Sequence, residues 1–204
     1  IVNCRWWLDS KIMGIYLKDI NLKGKTAVVT GATKGIGRAT AIALHQIGAK
    51  VIAFGRNESE LIDLKKKLKK KITYYRCDMN DYEKLKEIIY SQKRIDVLVN
   101  NAGTNLPEKF LNVKQTSLDH LLNVNTKAAF NMAKLCTDKM IKLKNRKKVG
   151  GSIVNISSMF GIVGGPDRTV YSMTKFGIEG LTKGMSIDLA SKNIRVNCVA
   201  PYVC

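Results

Sequence analysis

The sequence is poor in the residues that cross-link small secreted proteins and in the long apolar runs that span membranes. It has 5 cysteines among 204 residues, irregularly spaced and without a Cys-x-x-Cys pair. Scattered thiols in odd number predict neither a disulfide framework nor a metal site, and reduced thiols are typical of cytosolic proteins. No apolar run approaches the roughly 20 residues that a membrane helix needs. We therefore expect a cytoplasmic protein with no metal centre and no membrane partner.

Acidic residues are scarce as well, because 16 Asp and Glu stand against 35 Lys and Arg, a formal net charge of +19. The cations cluster at 65–71 and 142–148. Leu61, Leu64 and Leu68 recur at helical spacing, so the first cluster is expected to cover a solvated helix face. The second is expected to follow a helix end, where cations suit the dipole. Neither interleaved aromatic residues nor a nucleic-acid motif accompanies them, so we expect no nucleic-acid partner. A basic interaction protein is the alternative, which salt-dependent nucleic-acid binding would reveal.

The beginning of the chain differs from the rest. Residues 1–12 contain no methionine, and Met13 stands just ahead of the first patterned segment. Asp9 and Lys11 interrupt any apolar signal-peptide core. We interpret residues 1–12 as a non-native or disordered extension. Residues 13–204 contain no linker or repeat and are expected to form one domain.

Short apolar runs alternate with longer amphipathic stretches along the chain. The runs are mostly apolar throughout, a pattern typical of strands buried on both faces of a parallel sheet. This alternation predicts a Rossmann-like, doubly wound α/β sheet with helices on both faces. The predicted strands are Ala27–Thr30, Val51–Phe54, Ile72–Tyr75, Val97–Asn100, Ile153–Ser157 and Arg195–Val199. The predicted helices are Ile36–Ile47, Glu58–Lys70, Tyr82–Ser91, Ser117–Leu143 and Val170–Ala190.

A glycine cluster follows the first predicted strand and opens the first predicted helix. Gly31, Gly35 and Gly37 let the backbone turn tightly and approach a pyrophosphate, while the helix start offers free amides to the anion. Glycines also form plain turns, but a position between strand and helix favours a dinucleotide site. The predicted cofactor-binding loop consists of Gly31, Thr33, Lys34, Gly35, Ile36 and Gly37.

The end of the second predicted strand lacks a carboxylate from Val51 to Asn57. Domains that bind NAD hold the ribose hydroxyls with an acid at this place. Arg56 can instead pair with the 2′-phosphate of NADP, and Lys34 can supply a second cation. Each alone could be an ordinary surface cation. The missing acid and the two cations together predict NADP(H) as the cofactor.

Tyr171 and Lys175 lie four residues apart, on one face of a predicted helix. A tyrosine hydroxyl holds its proton at neutral pH, and a neighbouring ammonium favours its release. Tyr171 can then act as general acid and base toward a carbonyl oxygen. Ser158 stands 13 residues before Tyr171, at the carboxyl end of the fifth predicted strand, where ligands of such sheets bind. Taken alone, Ser158 would be read as a capping or turn serine.

These motifs together resemble the short-chain dehydrogenase/reductase family. The likeness covers about residues 24–201. It rests on Thr-Gly-x-x-x-Gly-x-Gly at 30–37, Asn-Asn-Ala-Gly at 100–103, Asn-Val-Asn at 123–125, and Ser158, Tyr171 and Lys175. It implies that Tyr171 is the catalytic acid/base, Lys175 binds the nicotinamide ribose and Ser158 orients the substrate. It implies that Asn125 anchors a water for proton relay. The residues it implies on the adenosine side are Asn101, Ala102, Gly103 and Asp78.

Within that family the chain is most similar to the dicarbonyl/L-xylulose reductases, through Thr33–Arg38, Ala43–His45 and Thr169–Tyr171. We therefore expect NADPH-dependent reduction of a small carbonyl compound: a dicarbonyl, a ketose such as L-xylulose, or a ketone. A 3-oxoacyl thioester and a steroid-type ketone are alternative substrates. Met159 and Phe160 would suit a less polar substrate than a sugar, unless they pack away from the pocket.

The resembled family continues beyond the end of this chain with a substrate loop, a helix and a final strand. We therefore expect a C-terminally truncated domain that lacks the substrate loop and final strand and leaves an open sheet edge. The resemblance implies a homo-oligomer, a tetramer in the full-length form. The alternative in another functional class is a non-catalytic, cofactor-binding fragment or partner.

Overall fold

A six-stranded parallel sheet forms the centre of the protein. The computed structural model describes residues 20–143 and 150–202. The strands run in the spatial order β3-β2-β1-β4-β5-β6, which confirms the predicted doubly wound fold. The order reverses between β1 and β4, and such a reversal opens a crevice at the carboxyl ends of the strands. The strands are β1 (Thr26–Val29), β2 (Lys50–Gly55), β3 (Ile72–Arg76), β4 (Val97–Asn100), β5 (Gly151–Ile156) and β6 (Ile194–Val199).

Within residues 20–143 and 150–202, six α-helices lie between the strands, and side-chain caps explain where two of them begin. The Asn57 side chain accepts a hydrogen bond from the Glu60 amide at 3.3 Å, and Asp81 accepts one from the Lys84 amide at 3.2 Å. The helices are α1 (Gly35–Gln46), α2 (Glu58–Leu68), α3 (Tyr82–Ser91), α4 (Gln115–Leu121), α5 (Ala128–Ile141) and α6 (Thr169–Asp188). Short 3₁₀ turns occupy Phe110–Asn112, Met159–Gly161 and Ala190–Lys192.

The long helix predicted over Ser117–Leu143 is not one regular helix. A π-helical segment, Leu122–Lys127, separates α4 from α5. Each π turn holds an extra residue, which shifts the side chains that follow around the helix axis. Hydrophobic periodicity could not show this, because the sequence remains apolar on both sides of the insertion.

Two hydrophobic clusters lie on opposite faces of the sheet. Alternate side chains of a strand point to opposite faces, and accordingly Val28 packs in one cluster while Val29 packs in the other. Leu61 and Leu64 of α2 are fully buried in the second cluster. This confirms the predicted amphipathic helix, whose lysines lie on the exposed face.

The prediction that every strand is buried on both faces is wrong for the edge strands. The central strand β1 is buried throughout, but β6 alternates between buried and exposed positions until its last residues. Three of the five residues of β3 are only partly buried and Arg76 is exposed. Edge strands have one neighbour instead of two, so their side chains have less protein to pack against.

Several expectations concern residues outside the described ranges. They are the 1–12 extension, the thiols Cys4 and Cys204, and residues 144–148 of the second basic cluster. Within residues 20–143 and 150–202, Cys77, Cys136 and Cys198 are free thiols, and no group of acidic, histidine and cysteine side chains is arranged to hold a metal. No helix of this part of the chain has the length and apolar character needed to cross a membrane.

Candidate active site

The glycine loop between β1 and α1 depends on close backbone contacts. Gly31 has φ +64°, in the left-handed region that favours glycine. A Cβ at Gly37 would collide with the carbonyl oxygen of Gly31, so only glycine fits there. Lys34, the N-cap of α1, makes no side-chain capping bond, and the first turn contains no acid. The amides at the start of α1 are therefore available to an anion.

The loops after β1 and β4 hold each other in place. Thr30 Oγ1 accepts hydrogen bonds from the amides of Asn101 and Ala102, at 2.9 and 3.0 Å. The Asn101 side-chain amide donates to the carbonyl oxygens of Thr30 and Gly31, at 3.0 and 3.1 Å. Asn101 was predicted to line the adenosine side. Its side chain holds the glycine loop, a structural function that the motif did not reveal.

A cleft of about 730 Å³, here called the glycine-loop cleft, lies above the carboxyl ends of β1 and β2. It brings together the residues that the sequence predicted for a cofactor: Gly31, Thr33, Lys34, Gly35, Ile36, Arg56, Asp78, Asn101, Ala102 and Gly103. Gly37 is buried in the first turn of α1. The cleft therefore has the size and position for an extended dinucleotide.

Charged side chains at the β2 end of this cleft differ in how they are paired. Lys34 and Arg56 are exposed, and neither forms an ion pair or side-chain hydrogen bond with any residue in the described ranges. Glu60, an acid that follows the 51–57 segment in sequence, also lines the cleft. Its carboxylate lies 3.8 Å from the Arg38 guanidinium, which also pairs with Asp63. The two unpaired cations remain available to a phosphate.

A second cavity of about 350 Å³, here called the tyrosine cavity, adjoins the cleft through shared walls at Ile36, Asn101 and Gly103. Its further lining residues are Thr104, Asn105, Ile156, Ser157, Ser158, Tyr171, Lys175, Pro201 and Tyr202. Three of the four residues predicted for catalysis, Ser158, Tyr171 and Lys175, thus share one cavity, next to the space predicted for the cofactor.

Lys175 lies one helical turn after Tyr171 on α6, with its Nζ 5.7 Å from the centre of the tyrosine ring. The side chain is 5% exposed, and Nζ donates a hydrogen bond to the Ile156 carbonyl oxygen at 2.9 Å. Burial lowers the pKa of Lys175 to about 8, against an opposing effect of Cys198. The ammonium is therefore held beside the tyrosine and is more easily deprotonated than an exposed lysine.

Ser158 lies two residues beyond the end of β5, at the carboxyl edge of the sheet where it was predicted. It is 6% exposed, and its Oγ accepts a hydrogen bond from the Phe160 amide at 3.3 Å, capping the 3₁₀ turn. The capping interpretation is therefore correct as a structural function. It uses one lone pair of the oxygen and leaves the hydroxyl hydrogen free to donate into the tyrosine cavity.

Asn125 occupies the π-helical segment and is 2% exposed. Its Oδ1 accepts from the Thr104 amide at 2.8 Å, and its Nδ2 donates to the Thr104 carbonyl and to Thr174 Oγ1, at 2.9 and 3.1 Å. A Cβ at Gly103 would lie 3.2 Å from Asn125 Oδ1 and 3.7 Å from Lys175 Nζ. Asn125 thus lies close to Lys175 across Gly103, while its amide is bonded to protein groups. Its water-anchoring function stays a prediction.

Met159 and Phe160, expected to affect substrate polarity, do not line the tyrosine cavity. The Phe160 ring packs against Tyr171 instead. Sequence reasoning also missed Gly161, at which a Cβ would collide with Ser157 Oγ. A glycine three residues after the serine was visible, but only the fold shows what it approaches.

Known proteins resemble this chain over most of its length. A family model described as short chain dehydrogenase matches residues 25–204. A 3-oxoacyl-[acyl-carrier-protein] reductase of Thermotoga maritima is 41% identical over 89% of the chain and 75% of its own length. A carbonyl reductase [NADPH] 2 of Sus scrofa and an L-xylulose reductase of Mus musculus are 38% and 37% identical, each over 91% of the chain and 74% of their own length.

Solved structures agree with these relatives. Carveol dehydrogenase from Mycobacterium avium, in complex with NAD, has a TM-score of 0.81 and 29% identity over 89% of the chain and 71% of its own length. The structure of ElxO with NADPH bound has a TM-score of 0.80 and 32% identity over 89% of the chain and 74% of its own length. Similar folds thus hold either nicotinamide cofactor.

Proposed function

The chain belongs to the short-chain dehydrogenase family and is an oxidoreductase, and from that premise we propose that it uses NADPH to reduce a small carbonyl compound. The observation that carries this proposal is that Ser158, Tyr171 and Lys175 line one cavity adjoining the glycine-loop cleft. A hydroxyl that donates a hydrogen bond, a phenol that transfers a proton and a buried cation suit the development of negative charge on a carbonyl oxygen.

The residues of the glycine-loop cleft fit a nicotinamide dinucleotide. The uncapped start of α1 and the close packing of Gly31 and Gly37 suit a pyrophosphate. Lys34 and Arg56 would bind the 2′-phosphate, and Arg56 can do so with two parallel hydrogen bonds. Glu60, the acid nearest to them in the cleft lining, is paired with Arg38. These charges support NADPH over NADH.

NADPH, when bound, supplies a hydride to the carbonyl carbon. The Tyr171 hydroxyl donates its proton to the carbonyl oxygen, and the Ser158 hydroxyl donates a hydrogen bond to the same oxygen. The Lys175 ammonium stabilises the phenolate that Tyr171 leaves behind. Asn125, on the far side of Gly103, would hold a water through which Tyr171 and Lys175 regain the proton.

The substrate class has two candidates. A dicarbonyl, ketone or ketose such as L-xylulose is favoured by the carbonyl and L-xylulose reductase relatives. A 3-oxoacyl thioester is favoured by the Thermotoga maritima relative, whose identity is 41%. Both substrates present a carbonyl to the same three side chains, so the choice depends on the groups around that carbonyl.

Consumption of NADPH with diacetyl, L-xylulose and an acetoacetyl thioester tests the proposal, alongside thermal unfolding with NADPH, NADH or no ligand. We expect turnover with at least one carbonyl, and about 2.7 kcal/mol of stabilisation by NADPH at 100 times its Kd. Equal stabilisation by NADH would reject the cofactor assignment but keep the enzyme class. Binding of NADPH without turnover of any carbonyl would favour the non-catalytic alternative.

The exposed faces of α5 and α6 support a homo-oligomer, with a tetramer as the proposed form. Phe130 on α5 and Phe176 on α6 are each 49% exposed, and Ile187 is 78% exposed. Large apolar side chains on neighbouring helices are typical of surfaces covered by another subunit. Light scattering at several protein concentrations tests this assembly, and a concentration-independent monomer would reject it.

A further inference from the structure

The 3₁₀ turn Met159–Gly161 follows Ser158 directly and packs against α6. Gly161 allows the close approach, because a Cβ at this position would lie 2.9 Å from the Lys175 carbonyl oxygen. The Ser157 hydroxyl also donates to that oxygen, at 3.3 Å. The segment that carries Ser158 is therefore in contact with the backbone of α6 at Lys175.

Phe160 provides a second contact between this turn and α6. Its ring centre lies 6.1 Å from that of Tyr171, and the ring planes make an angle of 73°. This edge-to-face arrangement is a favourable one for two aromatic rings. Phe160 is half-buried and, in the part of the chain that the structure describes, belongs to neither hydrophobic cluster. Its contact with Tyr171 is thus separate from the packing of the core.

Gly165 leaves room for the Phe160 ring. A Cβ at Gly165 would collide with Phe160 Cε1 and lie 3.0 Å from Cδ1. Gly165 does not have a positive φ, so glycine is needed here for space and not for backbone conformation. At the preceding residue, Gly164, a Cβ would have nothing within 4 Å. These adjacent glycines therefore differ in their contact with Phe160.

We propose, on the basis of the proposed function, that Phe160 is a positioning residue that holds the Tyr171 phenol in the orientation needed for proton transfer. The absence of a side chain at Gly165 allows the Phe160 ring to stay in that place. Proton transfer depends first on geometry. A reacting group misplaced by about 1 Å can cost up to about a hundredfold in rate. Loss of one edge-to-face contact corresponds to a change of about two- to tenfold.

Four variants test this positioning. Phe160→Leu removes the ring but keeps an apolar side chain, Phe160→Tyr keeps the ring, Gly165→Ala displaces it, and Gly164→Ala is the matched control. We expect Phe160→Leu and Gly165→Ala to lower kcat about three- to tenfold while the KM for NADPH changes less than about twofold. Their isotope effect with deuterated NADPH should rise, because the chemical step becomes slower relative to product release. Phe160→Tyr and Gly164→Ala should behave like the unmodified protein.

Fluorine NMR of protein labelled with fluorotyrosine gives a readout that needs no turnover. The Tyr171 resonance is the one lost in Tyr171→Phe, and it should move in Phe160→Leu and Gly165→Ala but not in Gly164→Ala. An unmoved resonance in Phe160→Leu overturns the inference whether or not the protein is active. So does an unchanged kcat for that variant when the unmodified protein is active. Absence of turnover in the unmodified protein, with the resonance moving as expected, overturns the proposed function alone.

Discussion

The two halves of the crevice are built in different ways. In the glycine-loop cleft, the groups that face a ligand are backbone amides and the exposed side chains Lys34 and Arg56. In the tyrosine cavity, Lys175 and Ser158 are almost completely buried, and Tyr171 is half-buried against Phe160. The cleft is shaped by the absence of side chains at glycines, whereas the cavity is shaped by tertiary contacts on side chains.

This difference determines how each half responds to change. Recognition by exposed cations is screened by water and salt, so loss of one cation has a modest effect. A buried polar group is held in place by its hydrogen-bond partners. Its removal leaves those partners unsatisfied or removes a group that the reaction needs. Substitutions in the cavity should therefore have larger effects than substitutions of the cleft cations.

Tyr171→Phe tests the cavity and should have the largest effect. Removal of the hydroxyl eliminates the proton donor while the ring keeps its contact with Phe160. We expect kcat to fall about 10²- to 10⁴-fold, the usual contribution of general acid–base catalysis. NADPH affinity, measured by fluorescence titration, should change little. Tyr202→Phe, which alters an exposed tyrosine of the same cavity, is the control; a comparable loss there would contradict the assignment.

Lys175→Met measures what burial of this lysine's charge costs in folding free energy. The folded-state pKa of Lys175 is about 8, below its ordinary value of 10.5, so the folded chain holds this proton less tightly than the unfolded chain. Burial of the charge thus costs stability below about pH 8, and this cost is relieved as the pH rises from about 8 to 10.5.

We expect Lys175→Met to be about 1–2 kcal/mol more stable than the unmodified protein at about pH 7, after allowance for the lost hydrogen bond to Ile156. The difference in free energy of unfolding, measured with urea, should shrink toward about pH 10. Lys183→Met, on the exposed side of α6, is the control and should show no such pH dependence. A variant that is less stable at every pH would contradict the predicted cost of the buried charge.

Gly37→Ala tests whether the cleft is shaped by the absence of a side chain. The added methyl group would collide with the Gly31 carbonyl, so the loop or α1 must move. We expect a loss of about 1–3 kcal/mol in unfolding free energy, with weaker NADPH binding. Gly180→Ala, at an uncrowded position of α6, should not destabilise the fold. Equal unfolding free energies and NADPH affinities for the two variants would show that the close approach of Gly37 to the Gly31 carbonyl does not shape the cleft.

Arg56→Ala should have the smallest effect and defines the cleft's electrostatic contribution. We expect NADPH affinity to fall about tenfold, with NADH affinity unchanged, because only NADPH carries the 2′-phosphate. The loss of NADPH affinity caused by Arg56→Ala should be smaller at high salt, because salt screens the attraction between Arg56 and the phosphate. Arg76→Ala removes a cation from the next strand, where it pairs with Glu58 at 3.5 Å, and should leave the preference between cofactors unaltered. Equal losses for both cofactors would reject the assignment of Arg56.

The sequence was most informative where the conformation is local. The glycine loop lies within one strand–turn–helix unit, so the spacing of its glycines predicted its place between β1 and α1. The positions of the strands followed from apolar runs, and the helix Tyr82–Ser91 was predicted with its observed limits. Element order then indicated the parallel sheet, because consecutive strands joined by helices run in the same direction.

The sequence was least informative where distant segments meet. Phe160 was interpreted through its polarity, but its partner Tyr171 becomes visible only when the 3₁₀ turn packs against α6. Glu60 follows the acid-free segment 51–57 in sequence. It lies on α2, and only the folded chain shows that it lines the cleft. The π-helical segment around Asn125 leaves no mark in the hydrophobic periodicity of the sequence.

The hydrogen bonds between Thr30 and Asn101 have a consequence for biosynthesis. The two residues are separated by 71 positions, so the glycine loop leaves the ribosome long before its partner. The cleft cannot be complete until β4 has been synthesised and has paired with β1. The tyrosine cavity must wait still longer, because Lys175 arrives later in translation. A nascent chain therefore completes the residues of its glycine-loop cleft, which end at Val124, before those of its tyrosine cavity, which end at Tyr202.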